Sequence, residues 1–522
     1  MKSNSRSPVL WAVSLLLLLS GCYDHFGPQQ NLSVELFDRD TPGLAIDDGY
    51  QAHYIMKKIK KSQNISLSFV PVPRWEEVPK LNALMTAQKA PDLCFLYDIP
   101  TISNYIKSES LADLGPALKK YGSHLKEYLG EDLLKYGCWN GIQYTIPAKR
   151  PLTPAFSSFI RKDWLDKLGL GIPTTKQEFY EALVAFRDKN PGKVENPIPF
   201  GIQIYENIID WNVHTLVWSF VEKMSEEEFA SKYDQGRWVM PGYKEGFRFL
   251  NRLYHEKLIN LDFDTDKTGD LLRRHQIQGL VGAWIGNYDL PYRSDGVFPE
   301  LKKNVADGEI IPFDPFENYE GKHVKMKYSP AGLHMFVPSF NKNQLEAVIK
   351  YLDWMASDKE ILKILQNGEI GIHYKTVNAD GIPIQKVSND DLPLEYKINW
   401  HDFAIISTGA FDYGDDALNM KAQAMNYPGF EKYIVRAMEI AYTDAFLAPY
   451  FDVVIESEAK YSSNLKSKSV EIFIKSITAE PDNFDKVYDK LVVEYMDLGA
   501  RAIIDEKIEV FRAMKAAEKK TY

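Results

Sequence analysis

Cysteine is scarce: three residues in a chain of 522. A small secreted scaffold held by a disulfide framework is therefore excluded. Cys94 lies in Asp92-Leu93-Cys94-Phe95-Leu96-Tyr97, which reads as a buried strand, and Cys138 lies in the turn-like Gly137-Cys138-Trp139-Asn140-Gly141. A lone pair without a framework pattern reads as two free thiols. Positive charge is also short, with 62 Lys+Arg against 72 Asp+Glu and a net charge of −10. No basic block stands out, so a nucleic-acid partner is not expected. The clearest apolar run, Val9 to Leu19, is well under the ~20 residues a membrane-spanning helix needs. No GxSxG, Walker A, GxGxxG or CxxC motif occurs. His255-Glu256-Lys257-Leu258-Ile259 begins like a zinc motif, but Ile259 stands where the second His is required and cannot ligate. Asp262, Asp264 and Asp266 have the spacing of a calcium loop, yet Lys267 replaces its turn glycine and Arg273 its bidentate Glu. Asp415 and Asp416 read as a charged helix N-terminus, not as a catalytic pair. No catalytic group, metal site or cofactor is expected from these motifs. Repeats, low-complexity segments and Pro/Ser-rich linkers are absent as well.

Aromatic residues are plentiful, at 13% with 30 Tyr and 10 Trp. Flat amphipathic rings line carbohydrate and peptide clefts, and they also fill large cores. The N-terminus carries the most specific signal. Lys2 and Arg6 precede the apolar run, which ends in Leu18-Leu19-Ser20-Gly21-Cys22. This order matches a secretory leader closing on a lipobox, where a thiol accepts the lipid. The expectation is a signal peptide over 1–21, lipidated Cys22, a tether over 22–31, and a protein anchored to the membrane on its extracytoplasmic side.

Along the rest of the chain strands and helices alternate. The spacing predicts strands over Leu32–Phe37, Ser66–Val70 and Asp92–Tyr97, the last continuously apolar as in a parallel sheet. Helices are predicted between them, over Asp48–Lys61 and Glu76–Gln88. Pro173 and the capping box at Thr175 and Glu178 announce another helix bearing Phe179, Leu183 and Phe186. Leu280–Gly286 and Leu333–Pro338 read as buried strands, Asn343–Ser357 as a helix, and Asp415–Tyr522 as almost wholly helical. At about 100–200 residues per domain, two large α/β units suit this length.

The stretch Phe159-Ile160-Arg161-Lys162-Asp163-Trp164-Leu165-Asp166-Lys167-Leu168-Gly169-Leu170, with Ile172-Pro173-Thr174-Thr175, resembles the signature of family 1 extracellular solute-binding proteins, the substrate-binding lipoproteins of carbohydrate ABC importers. Lys89-Ala90-Pro91-Asp92-Leu93, Gly141-Ile142-Gln143-Tyr144-Thr145-Ile146-Pro147 and Leu352-Asp353-Trp354-Met355 are similar to further family segments. The family's calcium-loop-like stretch reads Asp188-Lys189-Asn190-Pro191-Gly192-Lys193-Val194-Glu195-Asn196 here, with few side-chain oxygens. The resemblance implies a two-lobed α/β fold of the periplasmic-binding-protein type II, with hinge crossovers and a helical C-terminal region. It places one lobe at 32–155 plus 333–400 and the other at 156–332 plus 401–522. A monomer that captures a saccharide by hinge closure and hands it to ABC permease subunits is expected. Trp284, Asn287 and Tyr288 at one strand end and Trp400 near the third crossing are the expected sugar contacts. Asp98, Tyr144 and Arg161 flank the cleft as further candidates, although Arg161 has an acid beside it. Trp211 and Trp218 fit a buried helix face instead. An exported glycan hydrolase and a ligand sensor for a kinase are the alternatives.

Overall fold

In a computed structural model the described residues are 30–38, 59–61, 63–204, 211–294, 296–388, 391–393, 396 and 403–518. Cys22 with its leader, most of the expected helix Asp48–Lys61, and Trp400 with His401 and Asp402 lie outside them.

Leu32, Val34 and Leu36 alternate with polar residues, and their strand Gln30–Asp38 lies parallel to Ile65–Pro73. Backbone bonds from Glu35 N to Leu93 O (2.9 Å) and from Leu93 N to Ser33 O (3.1 Å) continue the sheet to Cys94–Leu96. Ala331–Phe336 then runs antiparallel between Cys94–Leu96 and Ile146–Lys149. The expectation of a parallel sheet around Cys94–Leu96 thus holds on one edge only. A continuous apolar run reports that both faces are covered, and it is blind to the direction of the neighbouring strand. Helix Leu345–Ala356 buries Val348, Ile349, Leu352 and Met355 at helical spacing against this first core.

The second sheet has the order Ile310–Phe313, Phe156–Arg161, Val281–Asn287, Ile198–Gly201. Helix Lys176–Lys189 starts at Thr175, whose hydroxyl accepts from Glu178 N at 3.1 Å. The Glu178 carboxylate bonds the amide and hydroxyl of Thr174 (2.7 and 2.8 Å), one residue earlier than a strict capping box. Phe179, Leu183 and Phe186 are fully buried, as their spacing predicts. Helices Glu456–Thr478 and Phe484–Tyr495 complete this core with Ile472, Phe473, Ile477 and Tyr488. The C-terminal stretch is not helical throughout. Ala445–Leu447 pairs in parallel with Lys325–Lys327.

Three chain segments join the two cores, and they lie side by side. Lys149 N donates to Ile406 O (2.9 Å), and Thr408 N to Lys149 O (2.7 Å). Arg150 N donates to Pro330 O (2.8 Å), and Tyr328 N to Thr153 O (2.9 Å). The segments approach closely: a Cβ on Gly332 would stand 2.2 Å from Thr408 Oγ1, so only glycine fits. Phe403, Ala404, Ile405 and Ile406 still belong to the first core, so the third segment leaves it after Ile406 and not at Trp400. Cys94, buried, and Cys138, half-buried, are both free thiols. Among the described residues no helix is long and apolar enough to cross a membrane.

Candidate functional site

A row of cavities opens where the connecting segments leave the two cores. One of about 600 Å³ and one of about 420 Å³ meet at Arg150 and Tyr328, which line both. A third, of about 300 Å³, shares Gln423, Asn426 and Tyr427 with the larger one.

The 420 Å³ cavity has walls from both cores: Tyr97, Tyr136, Trp139 and His334 on one side, Tyr233, Tyr450 and Phe451 on the other. The Tyr136 and Tyr450 rings meet across it, 4.8 Å between centroids. Tyr450 Oη donates to Cys138 O at 2.9 Å, and Asn140 N donates to Asp452 O at 2.9 Å. Together with the Lys107–Glu456 ion pair, these contacts hold this end of the cleft together. His334 is buried, with Nδ1 2.9 Å from Thr145 Oγ1. Burial, helped by the nearby Arg150 charge, lowers its pKa to about 4, so its ring is neutral at pH 7.

The 600 Å³ cavity is built mainly on the end of strand Val281–Asn287 and on helix Asp416–Ala424 with the turn that follows it. Asn287 Nδ2 donates to Tyr328 Oη at 2.6 Å, and Gln423 Nε2 to Tyr288 Oη at 2.9 Å. Tyr427 Oη donates to Asp289 Oδ2 at 2.6 Å, and Arg293 pairs with the same carboxylate at 3.0 and 3.2 Å. Burial pushes the Tyr288 and Tyr427 phenols well up and that of Tyr328 to about 12, so all three remain protonated at any physiological pH. Arg150 lies over the Tyr328 ring at 4.8 Å and donates from Nη1 to Ser329 O at 3.1 Å. Each carboxylate lining the row is ion-paired: Asp289 with Arg293, Glu458 with Lys507, Asp234 with Arg237. Ring faces with amide and hydroxyl groups between them suit a polyol that presents apolar C–H faces and a rim of hydroxyls.

Of the residues expected here, Asn287 and Tyr288 line the larger cavity. Trp284 does not. It is 3% exposed, lies opposite Phe159 in the sheet register, and belongs to the core with Tyr292, Phe298 and Leu301. Both faces of its strand are covered, and a ring three residues before the strand end cannot reach the cleft. Arg161 is also a core residue, 1% exposed, with Nε and Nη2 each 2.7 Å from the Asp163 carboxylate. Asp98 caps helix Ile99–Lys107 by accepting from Thr101 N at 2.9 Å. Tyr144 leans on the cluster of Trp139 and Phe336 and lines none of the three cavities. Trp218 is buried as expected, and Trp211 meets Phe156 edge-on at 4.7 Å. Trp400 lies outside the described residues. Sequence reasoning missed Arg150, Tyr328, Tyr97, Tyr136, Trp139, Tyr427 and Tyr450. For Arg150 and Tyr97 a signal existed, since each directly follows a strand that points into the cleft. In the calcium-loop-like stretch, Asp188 pairs with Arg187 and the Asn190 side chain bonds the Val194 backbone. Among the described residues no three His, Cys, Asp or Glu are grouped to hold a metal.

Two α/β cores, three adjacent connecting segments and a ring-lined cleft between the cores define a hinged ligand-binding protein. The chain belongs to the bacterial extracellular solute-binding protein family, which it matches over residues 45–361. It is 24% identical over 477 residues to the polygalacturonan/rhamnogalacturonan-binding protein YtcQ of Bacillus subtilis, covering 88% of each chain. It is 25% identical over 358 residues to lipoprotein LipO of the same organism, covering 66% of this chain and 68% of that one. Among solved structures it is similar to the S. pneumoniae ABC-transporter substrate-binding protein FusA in complex with kestose. The TM-score is 0.66 at 16% identity, over 94% of this chain and 100% of that one. The likeness shows the fold, the two-lobed periplasmic-binding-protein type II architecture.

Proposed function

We propose that this protein is the substrate-binding lipoprotein of an ABC importer, capturing an oligosaccharide outside the membrane and delivering it to permease subunits. One observation carries the reading. The cavities form a continuous row, sharing lining residues from one to the next, and tyrosines from both cores wall it. A row suits a chain of sugar rings better than a single small solute. Membership of a solute-binding family and the saccharides named for YtcQ and FusA support it. Because the walls of the cavity, Tyr97 on one side and Tyr233 on the other, come from opposite cores, a ligand that touches both favours the closed arrangement over an open one, which is how binding drives closure. The protein acts as a monomer in this reading.

Titration calorimetry of the full mature chain against a panel of oligosaccharides should give saturable binding with one site. Mass spectrometry should return the ligand unchanged, and small-angle scattering should show a smaller radius at saturation. Sustained release of shorter sugars from pure protein would replace this reading with the hydrolase one.

The anchor is tested separately. Radiolabelled palmitate should follow the wild-type chain into the membrane fraction, and Cys22→Ala should be unlabelled and released. A Cys22→Ala protein that remains labelled and bound would refute lipidation at this residue.

A further inference from the structure

We propose that the cleft takes an acidic saccharide, with one uronate carboxylate seated on Arg150. This deepens the reading above and rests on it. The chain carries a net charge of −10, yet the three cavities are lined by five cations (Arg150, Arg293, Lys327, Lys386, Lys507) and three carboxylates. Arg293 and Lys507 are neutralised within the site by Asp289 and Glu458, and Asp234 is held by Arg237. The positive charge left over is local to the cleft and opposite in sign to the whole molecule, so it serves what enters the cleft.

Among the described residues Arg150, Lys327 and Lys386 have no carboxylate partner, and Lys386 is bonded instead to the Asn426 amide oxygen at 2.6 Å. Arg150 is the most constrained of the three. It is half-buried where the two larger cavities meet, and its neighbours are the tyrosines Tyr97, Tyr288 and Tyr328 and the neutral ring of His334. Burial alone pulls its pKa down, the mark of a cation short of counter-charge. Among the described residues one of its five N–H donors is used, on Ser329 O, and the Tyr328 ring centroid lies 4.8 Å from its Cζ. A desolvated cation without an acid is costly unless a ligand supplies the missing charge, and a planar fork matches a carboxylate with two parallel bonds. A neutral sugar leaves that charge unanswered.

The test uses the full mature chain and tetrasaccharides of galacturonate, mannuronate and glucuronate, each compared with its methyl ester. Neutral fructo- and xylo-tetrasaccharides complete the panel. At least one acid should bind, and its ester should bind roughly 30-fold more weakly or worse, the usual size of losing one partner of a desolvated charge pair. Arg150→Gln should lose the same factor and no longer tell acid from ester. Arg150→Lys should retain part of the preference, because the charge remains and the fork does not. The Arg150 backbone bond to Pro330 O is untouched by either change, and matched melting curves will show that both variants fold. Equal affinity for acid and ester, or undiminished discrimination by Arg150→Gln, overturns the inference. If a neutral tetrasaccharide binds and no acid does, the inference fails while the saccharide reading stands. If no saccharide binds, both fail.

Discussion

Truncating Trp284 to Ala should destabilise the fold by about 3–5 kcal/mol, the usual cost of deleting a large aromatic from a core, and leave the affinity of each folded molecule unchanged. The indole is 3% exposed and its centroid lies 5.9 Å from that of Phe159 on the neighbouring strand. Leu272, from the helix Asp270–Ile277, and Val281, three residues earlier on the same strand, are in the same cluster, as are Phe298 and Leu301 of the helix Val297–Asn304. These side chains are themselves held by the sheet and cannot collapse fully into the space left, so the cavity term adds to the lost transfer energy. The cleft lies beyond the end of the same strand, where Asn287 and Tyr288 line it. Urea unfolding of Trp284→Ala should show a lower midpoint at unchanged slope, and calorimetry below that midpoint should give the wild-type dissociation constant for whichever tetrasaccharide binds. Wild-type stability with lost affinity would return Trp284 to the ligand site.

Why Trp284 looked like a sugar contact shows what was legible. The strand itself was plain: Leu280–Gly286 is continuously apolar, and Val281–Asn287 is the strand observed. Ligands meet doubly wound sheets past their strand ends. Because the strand runs on to Asn287, its end falls at Asn287 and Tyr288, and Trp284, expected at that end, lies three residues inside it. The same rule points to the end of Cys94–Leu96. There the first candidate, Asp98, turns back to cap a helix, while Tyr97, one position earlier, faces the cleft. Successive side chains near a strand end point to opposite sides, so a slip of one residue exchanges a cleft-lining side chain for a cap. The capping signal at Thr175, the apolar faces of Lys176–Lys189 and Leu345–Ala356, and the two α/β units were legible because each rests on local periodicity. Strand direction around Cys94–Leu96 was not, because it depends on a partner, Ala331–Phe336, more than two hundred residues away. The place of Arg150, directly after strand Ile146–Lys149, is legible, but its surroundings are not. Its significance lies in which acids are missing around it, and only the assembled cleft shows that.

Arg161 presents the opposite electrostatic situation, and the contrast gives the second large effect. Its guanidinium makes a two-pronged contact with Asp163 at 2.7 Å on each arm and donates from Nη1 to Gly279 O at 3.2 Å. Trp164 covers it at 5.0 Å, and the Asp163 carboxylate also accepts from Glu309 N at 3.1 Å. The pair thus ties the end of strand Phe156–Arg161 to the turn before Val281–Asn287 and to the residue entering Ile310–Phe313. Arg161→Met keeps much of the side-chain volume but leaves a carboxylate that is 7% exposed with only Lys167, 3.5 Å away and 40% exposed, as counter-charge. Removing one partner of a buried pair typically costs about 3–5 kcal/mol, because the remaining charge is stranded. Replacing both partners with apolar groups avoids that penalty, so Arg161→Met/Asp163→Leu should recover a large part of the loss. The unfolding midpoints should therefore rank wild type highest, the double variant next and Arg161→Met lowest. Ligand affinity measured below each midpoint should be the same in all three. A double variant no more stable than Arg161→Met would show that the bonds to Gly279 O and Glu309 N, and not the stranded charge, account for the loss. Reduced affinity in a stable Arg161→Met protein would place the guanidinium in the cleft after all.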